Sequence, residues 1–256
     1  MRIRISRRIA LAAGALALLG AATAPGVATA SAERPAAAPK PTVVLVHGAW
    51  ADSSSWSPVM ERLRKDGYKV RALADPLQGL TGDTAYVSSY LATIDGPVVL
   101  VGHSYGGAVI TNAAASDPDV KALVYIAGFI PVKGETVGDL AAKSTPPVPL
   151  VYTQVPDGTD VSIDPAKFRE TFAGDLDRTT AEDLAATQRP RQQQGRHRAR
   201  HRRGVPHHSV LQPGHHPGPR DQPGPPALHV QRAGAHIDEV AASHAVMLSR
   251  PGRSPT

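Results

Sequence analysis

The stretch PVVLVGHSYGGAVITNAAAS, residues 97–116, leaves few folds open to this chain. PVVLVGHS is an almost unbroken β-branched apolar run, the pattern of a strand buried on both faces of a parallel sheet. GGAVITNAAAS, residues 106–116, follows it as a small-residue helix. At the junction Gly102, Ser104 and Gly106 fit G-x-S-x-G. A strand that turns sharply into a helix strains the backbone of the middle residue, and only glycine-sized neighbours let the chain pass so close to itself. The serine hydroxyl is thereby lifted above the sheet at a helix N-terminus, whose exposed N–H groups favour developing negative charge. Ser104 is the candidate nucleophile, with Gly102 and Gly106 supporting the turn.

The same alternation extends on both sides. PTVVLVHG (41–48), KVRALADP (69–76) and VKALVYIAG (120–128) read as further strands. SPVMERLRKDG (57–67) and DTAYVSSYLATID (83–95) have helical spacing, the second with Asp83 as candidate cap. Strand and helix alternating at this spacing predict a mostly parallel sheet with helices on both faces. HGAW, residues 47–50, ends the first strand. Backbone N–H groups from such a loop and from the residue after the nucleophile make an oxyanion hole, which selects Ala49 and Tyr105. His47 is expected to orient the loop by hydrogen bonding, with Gly48 as loop support, and His103 to pack beside the turn.

VVLVHGAW, the GDTAYV helix and VVLVGHSYGGAVI resemble the α/β-hydrolase superfamily, in particular small bacterial hydrolases related to plant methylesterases and hydroxynitrile lyases. The resemblance covers about residues 41–190 and resumes near 232. It implies an α/β-hydrolase domain over 41–250, with residues 131–185 forming a small cap that includes PPVPL and DPAKFRETFAGDLD. It also implies a triad in the order Ser, acid, His, which makes His244 in ASHAVMLSRP the base. The activity implied is cleavage of a small carboxylic ester without cofactor or metal. A lyase on the same site and a non-catalytic relative of these enzymes are the alternatives.

The two ends of the chain read differently. MRIRISRR is a basic start, IALAAGALALLGAA is an apolar run shorter than a membrane span, and VATASA offers small residues for cleavage after Ala30 or Ala32. Residues 1–32 are therefore expected to be a secretory signal, residues 33–40 a Pro/Ala spacer, and the mature protein secreted and free of the membrane. With no cysteine, stability has to come from the core rather than from disulfides.

Residues 191–231 do not continue the pattern. They hold seven Arg, seven His, seven Pro, six Gln and five Gly, with one acidic residue and no Lys, Ile or aromatic residue, and they carry the whole net charge of +6. Too little apolar surface is present for a buried strand. A nucleic-acid tail would lack aromatic stacking partners, and His207, His208, His215 and His216 sit among Pro and Gly that fix no metal geometry. Translation out of frame explains more. One extra base after the codon for Pro190 lets the codons of residues 191–198 read VSSKAVTE, and those of residues 205–221 read FRTIPSCNLVTTQDRAI. That product contains an apolar strand followed by an acid, at the position now written Gly218. A compensating loss near Gln231 restores RAGAHIDEVAASHAVMLSRP, and another slip after Pro251 explains the ending GRSPT. As written, the fold is expected to lack one core strand, its catalytic acid and its last helix. The partner expected is a small ester, with no nucleic acid.

Overall fold

The apolar runs become a parallel sheet. The computed structural model describes residues 39–142, 147–193, 208–214 and 236–252, of which 208–214 are described by backbone alone. Strands β1 (Thr42–Val46), β2 (Lys69–Leu73), β3 (Val98–His103) and β4 (Val120–Ile126) carry the sheet's buried face-to-face core. Strands β5 (Leu150–Val155), β6 (Gly158–Ile163) and β7 (Arg191–Gln192) form a separate antiparallel sheet. Strands β8 (His208–Gly214) and β9 (His236–Ala241) return to the first, whose order is β2-β1-β3-β4-β8-β9 with every neighbouring pair parallel.

Alternate residues of each central strand feed opposite layers, because side chains alternate across a sheet. Val44, Val46, Leu100, Leu123 and Tyr125 pack against Val87 and Leu91 of α2 (Leu80–Leu91) and Val109 and Ile110 of α3 (Tyr105–Ala113). On the other face, Val43, Leu45, Val70, Val101 and Ile126 meet Trp56, helix α1 (Ser57–Lys65) through Val59 and Leu63, and Val246 and Met247. Each aliphatic side chain fully withdrawn from water contributes about 1.5–3 kcal/mol. This second face is less completely covered. Val99 and Val124 are only half-buried, and an open groove of about 560 Å³ runs over them between α1 and the Val246–Gly252 segment.

Three features depart from the pattern read in the sequence. Helix α2 starts at Leu80, so Asp83 is not its N-cap. Gly79, at φ 123°, takes that place, and Asp83 in the first turn accepts the N–H groups of Gln78 and Gly79 from inside the helix. Capping is achieved backwards because the glycine makes the entry angle that a side-chain cap would otherwise fix.

The 131–185 region is built from α4 (Val137–Ala141), the β5–β6 hairpin, α5 (Pro165–Phe172) and α6 (Arg178–Ala186). The hairpin was not legible as strands, since β5 is largely exposed and has no buried alternation.

Within residues 191–231, whose composition argues against a buried strand, the backbone of His208–Gly214 stands between β4 and β9. It pairs four positions with β4, ending at Leu211, and six with β9. Pro213 falls beyond the last β4 pair, where a missing N–H interrupts no ladder on that side.

The leader 1–32, most of the 33–40 spacer, most of 191–231 including Gly218, and residues 253–256 lie outside the described residues, as do the side chains of the 207–216 histidines.

Candidate active site

Ser104 sits between β3 and α3 with φ 51° and ψ −118° and is 4% exposed. A left-handed conformation in a non-glycine residue costs about 1–3 kcal/mol and persists only where the surroundings over-determine it. Here they do. The Ser104 N–H donates to Ile126 O at 3.0 Å, and its carbonyl accepts the N–H groups of Gly107 and Phe129, each at 3.0 Å. The end of β4, the loop after it and the first turn of α3 thus hold the peptide units on both sides of the Ser104 Cα.

The glycines show how tightly the chain passes itself. A Cβ on Gly102 would lie 2.6 Å from Gly106 O, and one on Gly106 would lie 2.6 Å from both Val46 O and His47 O. A Cβ on Gly48 would meet Ser104 Cβ at 2.7 Å, so the HGAW loop runs directly over the nucleophile candidate. Gly107, not singled out from the sequence, has the same need: its Cβ would meet Phe129 O at 2.7 Å. The doubled glycine of GHSYGG was the available signal.

Two main-chain donors in the segments that cross here are left without partners. The N–H groups of Ala49 and Tyr105 form no hydrogen bond among the described residues. Tyr105 is the first residue of α3, where intrahelical partners do not exist. The next residue of the loop is held elsewhere: the Trp50 N–H donates to Arg189 O at 3.1 Å and its indole N–H to Val161 O at 2.9 Å, and its φ is 64°. His47 is fully buried and donates from Nδ1 to Gly48 O at 2.9 Å, while burial, the largest influence, holds its pKa below the usual value.

His244 arrives from the loop after β9. Its ring centroid lies 4.8 Å from that of His103 and 5.1 Å from that of Phe172. His103, the residue before the serine, donates from Nε2 to His244 O at 2.9 Å, and the Ala245 N–H donates to Phe172 O at 2.9 Å. The loop is therefore fastened to the elbow on one side and to α5 on the other. Burial lowers the His244 pKa to about 4, and among the described residues no carboxylate raises it. His103 is pushed well below the normal range, by burial first and then by the charge of His244. Among the described residues no hydrogen bond links the Ser104 hydroxyl to His244. Hydrogen bonds of this type are often long until substrate is bound.

Two groups escaped the sequence reading. Asp175, just after α5, faces the hydroxyls of Ser243 and Ser249 and the Ser243 N–H. Burial opposes its ionisation, but together these donors hold its pKa below the usual carboxylate value. Behind the elbow, Asp75 and Asp83 are both fully buried, and Asp83 accepts the Tyr105 hydroxyl at 2.6 Å. Asp83 reads in the sequence only as a helix cap, and its bond to Tyr105, 22 residues away, has no local signature. Among the described residues, no group of three or more His, Asp or Glu side chains is arranged to hold a metal.

Comparison with known proteins agrees with this architecture. A carbendazim hydrolyzing esterase of Nocardioides sp. (strain SG-4G) is 34% identical over 117 residues, which are 41% of this chain and 48% of that protein. A pyrethroid hydrolase of Sphingobium wenxiniae is 30% identical over 155 residues, 52% of this chain and 55% of its own length. The chain thus spans about half the length of the curated relatives it matches. Among solved structures, tomato methylketone synthase I superposes with a TM-score of 0.68 at 17% identity, covering 83% of this chain and 93% of the other. Polyneuridine aldehyde esterase gives 0.64 at 18% identity, covering 83% and 95%. These structures share the fold. The model of the alpha/beta hydrolase family matches residues 43–253. With most of the described sheet, the serine turn and the His244 loop inside that match, the chain belongs to the alpha/beta hydrolase family.

Proposed function

We propose that this chain is a secreted serine hydrolase acting on a small carboxylic ester, with Ser104 as nucleophile and His244 as base. The observation that carries the reading is the pair of unpartnered N–H groups, Ala49 and Tyr105, beside a serine held at φ 51°. Donors fixed in advance, where an oxyanion will form, stabilise a tetrahedral intermediate without reorganisation. The esterase and hydrolase names of the relatives support the same class of reaction.

In the proposed sequence, Ser104 Oγ attacks the ester carbonyl while neutral His244 takes the hydroxyl proton. The two N–H groups hold the resulting oxyanion. Collapse breaks the bond to the alcohol, which leaves with the proton from His244, and the acyl group remains on Ser104. Water, deprotonated by His244, then releases the acid and returns the proton to the serine. Burial keeps the imidazole unprotonated at neutral pH, the form that can take the hydroxyl proton, and at the same time makes it a weak base. The acid that would orient it belongs at the position written Gly218, on the reading of residues 191–231 as out of frame. The chain as written is therefore a slow enzyme.

The test is covalent labelling with a fluorophosphonate, together with p-nitrophenyl acetate turnover. Labelling mapped to Ser104 and abolished by Ser104→Ala supports the assignment. Equal labelling of wild type and Ser104→Ala, or none of either, refutes it.

A further inference from the structure

Tyr105 has two ends with different surroundings. Its N–H faces the serine site, while its ring, 4% exposed, turns away from it beneath α2. There the hydroxyl donates to Asp83 Oδ2 at 2.6 Å. Asp83 is itself fixed, since Oδ1 accepts the Gln78 N–H at 3.0 Å and Oδ2 accepts the Gly79 N–H at 3.1 Å. A second fully buried carboxyl, Asp75, stands close enough for Asp83 to add to burial in disfavouring its charge.

A pair of buried carboxyls is an expensive way to fill a core. Apolar residues of the same volume would be at least as stable. The expense falls one residue from the nucleophile, on the residue that offers the oxyanion donor. The clamps on Ser104, from Ile126, Gly107 and Phe129, act on the serine's own peptide groups. The Ser104 carbonyl shares its planar peptide unit with the Tyr105 N–H, so the Gly107 and Phe129 bonds set the plane of that donor, and the Tyr105 side chain, tied to the first turn of α2, fixes the far end of the same unit at the Tyr105 Cα.

We propose that Asp83, acting through the Tyr105 hydroxyl, is a positioning residue that aims the Tyr105 N–H at the oxyanion. The proposal rests on the serine hydrolase reading above. Asp83 touches no reacting atom and works only by fixing the first residue of α3. Displacement of such a donor by a fraction of an ångström weakens the tetrahedral state and leaves ground-state binding unchanged.

The experiment compares wild type, Tyr105→Phe, Asp83→Asn and Asp83→Ala as full chains. Ser104 phosphonylation is measured across fluorophosphonate concentrations to separate the binding constant from the limiting rate. Phenylboronic acid, which forms a tetrahedral adduct on serine, is titrated as a protectant. Tyr105→Phe is expected to lower the limiting rate about tenfold and weaken boronate protection by a similar factor, with the binding constant unchanged. Asp83→Ala should match it. Asp83→Asn, whose amide oxygen still accepts the tyrosine hydroxyl, should recover part of the loss.

Rates are expressed per folded molecule, from circular dichroism, so that a merely structural role gives wild-type rates in a smaller folded fraction. That result, in Tyr105→Phe or in Asp83→Asn, overturns the proposal while leaving the serine assignment intact. Failure of wild-type Ser104 to label overturns both.

Discussion

Asp75 should make the stability of this protein fall as pH rises, against the usual behaviour of carboxylates. The side chain lies two residues past β2 with no exposure, and neither oxygen has a hydrogen-bond partner among the described residues. Burial, then the neighbouring Asp83, raises its pKa from 3.8 to about 8, with the Leu77 N–H and the Arg189 charge opposing the shift. Between those two values the folded chain holds a proton that the unfolded chain has released. Stability from this group is therefore complete below about pH 4 and is lost as pH climbs towards 8. At about 1.4 kcal/mol per unit, the loss reaches about 5 kcal/mol, comparable with the whole stability of a small domain. His244 works in the opposite sense: its pKa of about 4 lies below the unfolded value, so it favours folding as pH rises from about 4 to 6.5. The two slopes partly cancel in wild type, and the Asp75→Asn variant separates them. The amide removes the titration and leaves unpaired donors that cost about 1–3 kcal/mol. Urea denaturation at pH 5, 6.5 and 8 should show the variant within about 1 kcal/mol of wild type at pH 5 and more stable, by about 2–4 kcal/mol, at pH 8. Parallel curves for the two proteins across that range would refute the reasoning.

Three further outcomes are expected. Fluorophosphonate labelling of Ser104 should rise through about pH 4 and stay level through neutrality, since the neutral form of His244 is the active base; an inflection near 6.5 in a pH series would contradict the burial seen here. Gly106→Ala places a methyl 2.6 Å from two backbone oxygens, and chemical denaturation should register a loss of about 3 kcal/mol or more, where a benign effect would mean that the loop crossing is looser than described. Resequencing codons 185–256 should reveal compensating indels flanking residues 191–231, and the restored enzyme should turn over p-nitrophenyl acetate about 10⁴-fold faster, as expected when a histidine regains its orienting acid.

What could be read without coordinates was set by short-range constraint. β1, β3 and β4 are legible because both faces of each strand are buried, so nearly every position is apolar. The elbow is legible because three backbone crossings below 3 Å each exclude a side chain, and glycine is the only residue that satisfies them. The β5–β6 hairpin was not, because an exposed antiparallel pair places no such demand on its side chains. Asp83 reads locally as a helix cap, and the first turn of α2 does use it to bind two N–H groups. Its third partner, Tyr105, is 22 residues away and carries no local signature.

The same distinction explains the state of His244. The loop that carries it is fastened by two contacts: His103 to its carbonyl and Phe172 to the next N–H. Position is therefore preserved without a carboxylate. Charge is not, because a buried imidazole that must accept a proton needs a counter-charge, and burial alone drives its pKa to about 4. A base that weak accepts a serine proton poorly, however well it is placed. Geometry built from backbone and packing is in place among the described residues, whereas the basicity that the proposed role of His244 requires calls for a counter-charge, which the out-of-frame reading puts in the one segment whose composition breaks with the rest.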